Sequence, residues 1–383
     1  MFLIAGEPSG DQIGGRFMSA IKEKFGGNIQ FMGVGGEKMV QQGLVSIFPM
    51  SEISMMGIIE IFHKVFFLLK RIKQTSTEIK NFNPDVLITI DAPSFCFRVI
   101  KQCRRLKGFP RIHYVAPTVW AWRPNRVQKF AKELDHLLTL LPFEPPYFES
   151  AGLSATFVGH AALEISLASL NRNKFKKRHN ISEKSVVLCL LLGSRKKEVS
   201  RHIGPFREAA EILYKEYPEL VVVLPTIKSV KSVVQRKVSS WEIPFLIVDE
   251  EQERFEAMFA AKVALAVSGT ITLELALTKT PFVVGYKTNP ITYLIVYWLI
   301  KVKFVTVINI LLKREAVPEL LQGACTGIRL ANSLKNLIKN KRASVAQLDA
   351  ANYAIDLMKN EGELPSQLAA HTVLQVIESY NKN

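Results

Sequence analysis

The segment Leu3-Ile4-Ala5-Gly6-Glu7-Pro8-Ser9-Gly10-Asp11-Gln12-Ile13-Gly14-Gly15 joins a short apolar run to a glycine-rich turn and the start of a helical pattern. An apolar run without polar alternation is typical of a strand buried on both faces of a parallel sheet. Glycines in the turn let the backbone approach a ligand, and the first turn of the helix favours an anion. We therefore predict a strand-loop-helix unit whose loop faces a ligand through Ser9, Gly10 and Asp11.

A purely structural interpretation of this loop stays open, in which Ser9 or Asp11 only caps the following helix. The loop lacks the Gly-x-Gly-x-x-Gly pattern of dinucleotide-binding proteins. No acidic residue ends a second strand at the distance that such a site requires. We therefore predict that no dinucleotide cofactor binds to this loop.

Short apolar runs alternate with amphipathic helical patterns along most of the 383 residues, which predicts an α/β protein with doubly wound parallel sheets. The predicted strands are Leu3–Ala5, Val86–Ile90, Ile112–Val115, Leu137–Leu140, Val186–Leu191, Val221–Leu224, Phe245–Val248, Val263–Ala266 and Phe282–Val284. A polar and basic segment, 170–180, interrupts the alternation once. A chain of this length exceeds one typical core, so we predict two Rossmann-like domains, 1–165 and 166–349. Only helical patterns follow residue 326, and we expect roughly 350–383 to pack back on the first domain.

Basic residues outnumber acidic residues by 50 to 34, which gives a formal net charge of +16. This excess indicates an anionic partner: a nucleic acid, an anionic lipid or a phosphorylated substrate. A nucleic acid is the least favoured, because the basic cluster 172–178 is not interleaved with exposed aromatic residues. The sequence has no CxxC pair, no signal peptide and no apolar stretch of bilayer-spanning length. We therefore expect a cytoplasmic chain that is soluble or peripheral to a membrane.

Two predicted strands end in residues that suit a ligand site, and ligands of open α/β sheets collect beyond strand carboxyl ends. Asp91 directly follows the strand Val86–Ile90, where its carboxylate can accept a proton from a sugar hydroxyl as a general base. Trp120, Trp122 and Arg123 follow the next predicted strand and can form an aromatic wall with a charged clamp. The alternatives are a helix cap for Asp91 and core packing for the tryptophans.

The predicted second domain repeats the strand-glycine-helix arrangement. Gly193, Ser194 and Arg195 follow a strand and combine backbone amides, a helix dipole and a guanidinium, which together favour a diphosphate.

A sharper signal follows the strand Val263–Ala266, where Ser268, Gly269 and Thr270 supply hydroxyls and amides at a helix start. Glu274 lies four residues beyond Thr270 and therefore on the same helix face. A phosphate near Thr270 and a ribose diol on Glu274 would fit one nucleotide, whereas a plain helix cap with a solvated glutamate is the alternative. There is no Asp-x-Asp pair, and the histidines lack metal-ligand spacing, so we predict no metal.

Residues 55–71 are too apolar for an ordinary surface helix and too short and charged for a bilayer span. Lys64, Lys70, Arg71 and Lys73 flank apolar residues that cover more than one helix face. This pattern is typical of a helix in an anionic membrane interface, or of a groove for acyl chains, and a buried crossover helix is the alternative. The candidate membrane or acyl contacts are Met56, Ile58, Ile59, Phe62, Val65, Phe66 and Leu69.

Together these segments resemble the lipid-A-disaccharide synthase family, and the likeness runs in order over nearly the whole chain. Trp120-Ala121-Trp122-Arg123 is the most specific segment, whereas the glycine loops alone are not specific. The other segments that carry the likeness are 5–11, 56–60, 90–93, 113–119, 141–144, 158–160, 193–198, 268–274 and 283–287. The chain departs from the family at Leu192 and at Val307-Ile308, where the family usually has proline motifs.

The resemblance implies the GT-B arrangement, in which an acceptor and membrane domain faces a UDP-sugar donor domain across a cleft. It implies inverting transfer of 2,3-diacylglucosamine from its UDP derivative to 2,3-diacylglucosamine 1-phosphate, without metal or cofactor. The reaction would belong to lipid A biosynthesis on the inner face of the bacterial inner membrane. Asp91 becomes the candidate base, and the implied donor-site residues are Arg195, Ser268, Gly269, Thr270, Glu274 and Asn309. Another UDP-sugar enzyme of this fold, such as a 2-epimerase or a soluble-acceptor transferase, and a nucleic-acid-binding protein stay as alternatives.

Overall fold

The computed structural model describes residues 1–53, 58–121, 126–168, 170–289, 293, 302–360 and 362–382, without the side chains of residues 58–65. The chain forms two compact units. The first comprises Met1–Glu164 and Met358–Asn383, and the second comprises Ile165–Leu357. Each unit is built on one parallel sheet flanked by helices.

Strands and helices alternate along most of the chain. The strands are β1 (Phe2–Ala5), β2 (Phe31–Val34), β3 (Leu44–Ser46), β4 (Leu87–Ile90), β5 (Arg111–Tyr114), β6 (His136–Thr139), β7 (Ala155–Phe157), β8 (Val186–Leu191), β9 (Leu220–Pro225), β10 (Phe245–Val248), β11 (Val263–Ala266), β12 (Phe282–Tyr286) and β13 (Glu319–Leu321). The described helices are α1 (Pro8–Phe25), α2 (Glu37–Gln41), α3 (Ile58–Phe82), α4 (Pro93–Gln102), α5 (Val127–Ala131), α6 (Pro145–Glu149), α7 (Arg172–Arg178), α8 (Lys196–Glu216), α9 (Lys228–Val238), α10 (Glu251–Ala260), α11 (Ile271–Leu277), α12 (Val307–Leu312), α13 (Gly327–Lys339), α14 (Lys341–Asp356) and α15 (Pro365–Lys382). Short 3₁₀ helices lie at Met50–Glu52, Ala161–Glu164 and Gln322–Ala324.

Both sheets are doubly wound, so each has a point at which the strand order reverses. The first sheet has the order β3-β2-β1-β4-β5-β6-β7, and the chain returns from β3 to place β4 beside β1. The second sheet has the order β10-β9-β8-β11-β12-β13 and reverses between β8 and β11. Ligands of such sheets bind beyond the strand carboxyl ends at the reversal. The loops after β1, β4, β8 and β11 are therefore the positions where a site is expected.

The core of the first unit explains why its central strands read as continuous apolar runs. Every residue of β1 and β4 is buried. Helix α1 packs Phe17 against this sheet, and α15 adds Ala369, Ala370 and Val373 to the same buried cluster. At the start of α15 the backbone amide of Ser366 donates to Glu164 at 2.6 Å. The last helix of the chain is therefore part of the first unit.

The predicted α/β fold class is confirmed, and each predicted strand is present with small shifts at its ends. The sequence did not predict β2, β3, β7 or β13. Strand β2 contains Gly33, where a side chain would overlap the Leu3 carbonyl of β1, because an added Cβ would lie 1.8 Å from that oxygen. The other missed strands are three residues long and carry partly exposed residues. Among the described residues, no helix is long and apolar enough to cross a bilayer.

Candidate active site

Asp91 lies at the carboxyl end of β4, and its carboxylate is held on both oxygens. Oδ2 accepts a hydrogen bond from the Ser9 hydroxyl at 2.8 Å, and Oδ1 accepts one from the Ala92 amide at 2.8 Å. The N-cap of α4 is Ala92 rather than Asp91, so the helix-cap alternative for Asp91 is wrong. The half-buried carboxylate keeps lone pairs for another donor, because an ionised carboxylate has about four acceptor positions.

The backbone around Asp91 is strained. Asp91 has a φ of 54°, Ala92 of 43°, and Val115, which follows the neighbouring strand β5, of 82°. A positive φ is uncommon outside glycine and is an outlier for a β-branched residue such as Val115. Gly6 makes room for this turn, since a Cβ at that position would lie 2.4 Å from the Cβ of Ala92. Strain of this kind concentrates at functional sites.

Of the three residues predicted in the first loop, one touches Asp91 and one does not face the site. Helix α1 begins at Pro8 with Glu7 as N-cap, so the capping alternative for Ser9 and Asp11 is wrong. Gly10 packs closely on β4, where a Cβ would lie 3.1 Å from the Ile90 carbonyl oxygen.

The prediction that Asp11 faces the ligand is wrong. Its carboxylate is buried and accepts the backbone amides of Gly36 at 2.8 Å, Lys38 at 3.0 Å and Met39 at 3.0 Å. Those amides belong to the start of α2, so Asp11 fixes one helix against another.

Trp120 is half-buried beyond the end of β5 and is anchored through its ring nitrogen. Its Nε1 donates to Oε1 of Glu144 at 3.0 Å, and the Phe143 ring packs edge-on with centroids 5.1 Å apart. Burial raises the pKa of Glu144 to about 7, against the opposing effect of its three N–H donors. Trp122 and Arg123 lie outside the described residues.

In the second unit the loop after β8 holds a carboxylate of its own helix. Oε2 of Glu198 accepts the amides of Ser194 at 3.2 Å and Arg195 at 3.3 Å. Gly193 has a φ of 104°, and a Cβ there would lie 2.7 Å from that same oxygen. The predicted amide donors of this loop are therefore present but occupied, so an anion that binds them must first displace Glu198.

The loop after β11 differs from the loop after β8, because its residues Gly269 and Thr270 are exposed. The Ser268 hydroxyl donates to the Val305 carbonyl at 2.8 Å. Within the described residues, the Thr270 side chain makes no capping hydrogen bond to α11. The plain-cap alternative therefore does not describe this loop. Glu274 lies one turn further on and pairs with Arg254 at 4.0 Å between Nη2 and Oε2.

Asn309 does not present its side chain to a ligand in this structure, and its role as a donor-binding residue stays a prediction. It is fully buried, and its Nδ2 donates to the Val317 carbonyl and to Oε1 of Glu319, both at 2.8 Å. Its Oδ1 accepts the amides of Ala316 and Val317 at 2.8 and 2.9 Å. All four hydrogen-bonding positions of the amide are used. Asn309 holds the segment whose Val305 carbonyl receives the Ser268 hydroxyl.

Histidines near the strand ends are structural. His113 is buried and shares a 2.7 Å hydrogen bond with Thr89, and burial lowers its pKa to about 3. Burial likewise lowers the pKa of His160 to about 4, with a smaller effect of Arg16. His202 joins α8 to the end of β12, because its Nε2 accepts the Lys287 amide at 2.8 Å. In the described parts of the chain, no group of three or more His, Cys, Asp or Glu residues is placed to hold a metal ion.

The candidate membrane helix α3 has described side chains from residue 66 onward. Phe66 is 86% exposed and Leu69 is 52% exposed, whereas Leu68 between them is 5% exposed. The helix is therefore not wholly buried. Among the basic residues that flank the segment, Arg71 is paired, since its Nε donates to Glu52 at 2.6 Å. Met56 lies outside the described residues, as do the side chains of Ile58, Ile59, Phe62 and Val65.

The sequence did not assign a role to Glu144, Glu198 or Glu319, although each organises a loop at a strand end. Glu144 and Glu198 stand inside the family-like segments 141–144 and 193–198, which is the signal that could have found them. Glu319 stands on β13, which the sequence did not predict.

The chain has the GT-B fold, which glycosyltransferases and UDP-sugar 2-epimerases share. The co-structure of S. aureus MnaA with UDP matches it with a TM-score of 0.67 at 15% identity, covering 100% of this chain and 96% of that chain. The UDP-GlcNAc 2-epimerase from Neisseria meningitidis, bound to UDP-GlcNAc, matches with a TM-score of 0.65 at 12% identity, covering 98% and 99%. At these identities the likeness shows the fold alone.

Sequence relatives decide the family. The family model for lipid-A-disaccharide synthetase matches residues 1–373. The lipid-A-disaccharide synthase of Rhodospirillum centenum is 44% identical over 378 residues, covering 98% of this chain and 94% of the relative. That of Paramagnetospirillum magneticum is 41% identical over 381 residues, covering 98% and 97%. The chain belongs to the lipid-A-disaccharide synthase family and is a glycosyltransferase of lipid A biosynthesis, so the nucleic-acid-binding alternative is wrong.

Proposed function

We propose that this enzyme transfers 2,3-diacylglucosamine from its UDP derivative to the 6-hydroxyl of 2,3-diacylglucosamine 1-phosphate. The products are the β-1′,6-linked disaccharide 1-phosphate and UDP. The observation that carries the proposal is the Asp91 carboxylate, held by Ser9 and Ala92 at the sheet reversal of the first unit.

Asp91 acts as the general base in this proposal. The acceptor 6-hydroxyl attacks the anomeric carbon from the face opposite UDP while its proton passes to a carboxylate oxygen of Asp91. The bond from the anomeric carbon to the diphosphate oxygen breaks, so UDP leaves with the electron pair and the configuration inverts. The Ser9 hydroxyl and the Ala92 amide fix the carboxylate orientation before the acceptor arrives, which lowers the cost of reaching the reactive geometry.

The second unit binds the donor in this proposal. The diphosphate displaces Glu198 from the amides of Ser194 and Arg195 and pairs with the Arg195 guanidinium. Thr270, exposed at the loop after β11, contacts the phosphates, and Glu274 accepts hydrogen bonds from the ribose diol. The donor-site set further includes Gly193, Ser268 and Gly269, which shape the two loops.

The first unit binds the acceptor and the membrane in this proposal. Exposed Phe66 and Leu69 supply an apolar contact on α3, and exposed Lys70 and Lys73 supply charge for anionic lipid. Such a surface suits acylated substrates, because their acyl chains lie in the bilayer. We place the enzyme at the cytoplasmic face of the inner membrane.

The test is to incubate the purified protein with UDP-2,3-diacylglucosamine and 2,3-diacylglucosamine 1-phosphate and to measure product mass. The expected product is one disaccharide 1-phosphate for each UDP released. Formation of an epimerised UDP-sugar without acceptor consumption would instead support a 2-epimerase, and UDP release without a disaccharide would contradict transfer to this acceptor.

A further inference from the structure

One buried carboxylate joins the ends of two neighbouring strands at the carboxyl edge of the first sheet. Glu144 is 3% exposed, and its Oε2 accepts the backbone amides of Leu140 and Leu141, which follow β6, at 3.1 and 3.0 Å. Its Oε1 accepts the ring N–H of Trp120, which follows β5, at 3.0 Å. The two carboxylate oxygens therefore serve different segments, and only one of them is needed for the local turn after β6.

Burying a carboxylate costs desolvation free energy, so its use to hold a tryptophan needs an explanation. Removal from water disfavours the charged form, which is why burial raises the pKa of Glu144 to about 7. A buried Trp N–H usually finds a hydrogen-bond partner, but a neutral acceptor such as a backbone carbonyl would serve without the burial of an ionisable group. Phe143 already packs edge-on against the Trp120 ring with centroids 5.1 Å apart. The hydrogen bond adds what packing alone does not, a fixed ring orientation about the strand end.

We propose that Glu144 is a positioning residue that orients the Trp120 ring as the wall of the acceptor sugar subsite. This inference rests on the proposed function, because it takes the carboxyl edge of the first sheet as the acceptor site. Trp120 follows β5, which pairs directly with β4, and β4 ends at Asp91. The Asp91 amide donates to the Tyr114 carbonyl of β5 at 2.9 Å, so a backbone hydrogen bond holds the two strand ends together. Glu144 itself touches no substrate.

The kinetic experiment uses a double-mutant cycle of Glu144→Gln and Trp120→Phe in the full-length enzyme. Phenylalanine keeps an aromatic ring but removes the N–H, and glutamine keeps one oxygen acceptor but replaces the other oxygen by an N–H₂ group. Each single variant is expected to raise the acceptor KM about tenfold, because acceptor binding must then order a ring that the hydrogen bond no longer fixes. The donor KM is expected to stay within about twofold. Glu149→Gln is the matched control, because Glu149 is an exposed glutamate at the end of α6, the helix that Glu144 immediately precedes; it is expected to change neither constant.

The cycle separates positioning from mere structure. If Glu144 acts through Trp120, the double variant has about the same acceptor KM as either single variant, because the second change has nothing left to remove. Multiplying effects would overturn the proposal, as would an unchanged acceptor KM in Trp120→Phe. The Trp120→Phe variant leaves the bonds of Glu144 to Leu140 and Leu141 in place, so it tests the proposal even if Glu144→Gln does not fold.

A measurement without catalysis distinguishes this inference from the proposed function. In protein labelled with ¹⁵N-tryptophan, the indole resonance of Trp120 is the one that disappears in Trp120→Phe. This resonance is expected to shift in Glu144→Gln and to stay in place in Glu149→Gln. An unmoved resonance contradicts the positioning role whether or not the enzyme is active. A moved resonance with no transfer to the acylated acceptor contradicts the proposed function and, with it, the acceptor assignment.

Discussion

Three residues other than glycine carry positive φ angles at the candidate base and beside it. Asp91, Ala92 and Val115 each lie in a region that costs on the order of 1–3 kcal/mol for such a residue. The cost is tolerated because the Asp91 amide is tied to the Tyr114 carbonyl and its carboxylate to Ser9. The Ser9 hydrogen bond ties the carboxylate to the first turn of α1. A general base at this point is the function that this arrangement supports best.

Asp91→Asn tests this role. An amide cannot accept the proton, so turnover should fall by on the order of 10²–10⁴ while UDP affinity stays near that of the wild type. Asp85→Asn is the matched control, because Asp85 is exposed and lies just before the start of β4, the strand that ends at Asp91. Turnover and UDP binding are measured separately, by product mass and by calorimetry. Retention of most activity in Asp91→Asn would leave the carboxylate as a structural residue.

Arg195→Ala and Glu274→Ala test the donor site. Loss of the guanidinium should weaken UDP binding by about 1.5–3 kcal/mol, the value of a hydrogen bond to a charged group. Loss of Glu274 should weaken UDP binding but leave binding of a 2′,3′-dideoxy analogue unchanged, since that analogue lacks the diol. Lys196→Ala, the exposed neighbour of Arg195, serves as the control in calorimetric titrations. Equal losses for UDP and the dideoxy analogue would count against a ribose contact.

At the scale of elements, the sequence predicted what depends on near neighbours in the chain. Strands buried on both faces, such as β4 and β11, read as plain apolar runs. Asp91 was found because it directly follows such a run. Edge strand β13 was missed because its residues are only partly buried.

Side-chain networks that join distant segments were not predictable in this way. Glu144 and Trp120 are 24 residues apart, and nothing in the sequence pairs them. Resemblance to a family identified Asn309 as a donor-site residue, but not its partners in this structure, Val317 and Glu319 of its own unit. A residue that matters in a family can act by holding a loop, and only coordinates separate that role from direct contact.

Helix α3 offers a test at the same scale. Phe66→Ser with Leu69→Ser should weaken binding to anionic liposomes and activity on acylated acceptor, without changing UDP affinity, because both side chains are exposed. Leu68→Ser, on the buried face of the same turn, should instead lower the free energy of unfolding. Lys70 and Lys73 should add about 1 kcal/mol each near the surface, and this part should fade with salt. Co-sedimentation with liposomes measures membrane binding, and urea unfolding measures the free energy of unfolding. Unfolding of the exposed-face variant would show that those side chains belong to the core.

At the scale of the whole molecule, buried histidines make the free energy of unfolding depend on pH. Burial lowers the pKa of His113 to about 3 and that of His160 and His202 to about 4, from 6.5 in the unfolded chain. As the pH falls below about 6.5, the unfolded chain takes up protons at these imidazoles while the folded protein does not. Each imidazole therefore lowers the free energy of unfolding by about 1.4 kcal/mol per pH unit in this window. Glu144 has the opposite sign between 4.5 and about 7, because there the folded protein holds a proton that the unfolded chain releases.

Burial also lowers the pKa of His136, so the imidazoles outnumber the one carboxyl and predict a net loss of stability from pH 6.5 toward pH 4. His160→Asn isolates one of these imidazoles. The Asn side chain can place its Oδ1 near the position of Nδ1 and still accept the Ala162 amide that donates to His160 at 3.1 Å. Urea unfolding followed by circular dichroism at pH 6.5 and pH 5 should show a smaller drop in the free energy of unfolding for this variant than for the wild type. The difference should approach about 1.5 kcal/mol over that interval, because one imidazole no longer binds a proton only in the unfolded chain. Equal drops in the variant and the wild type would mean that His160 is protonated in the folded state.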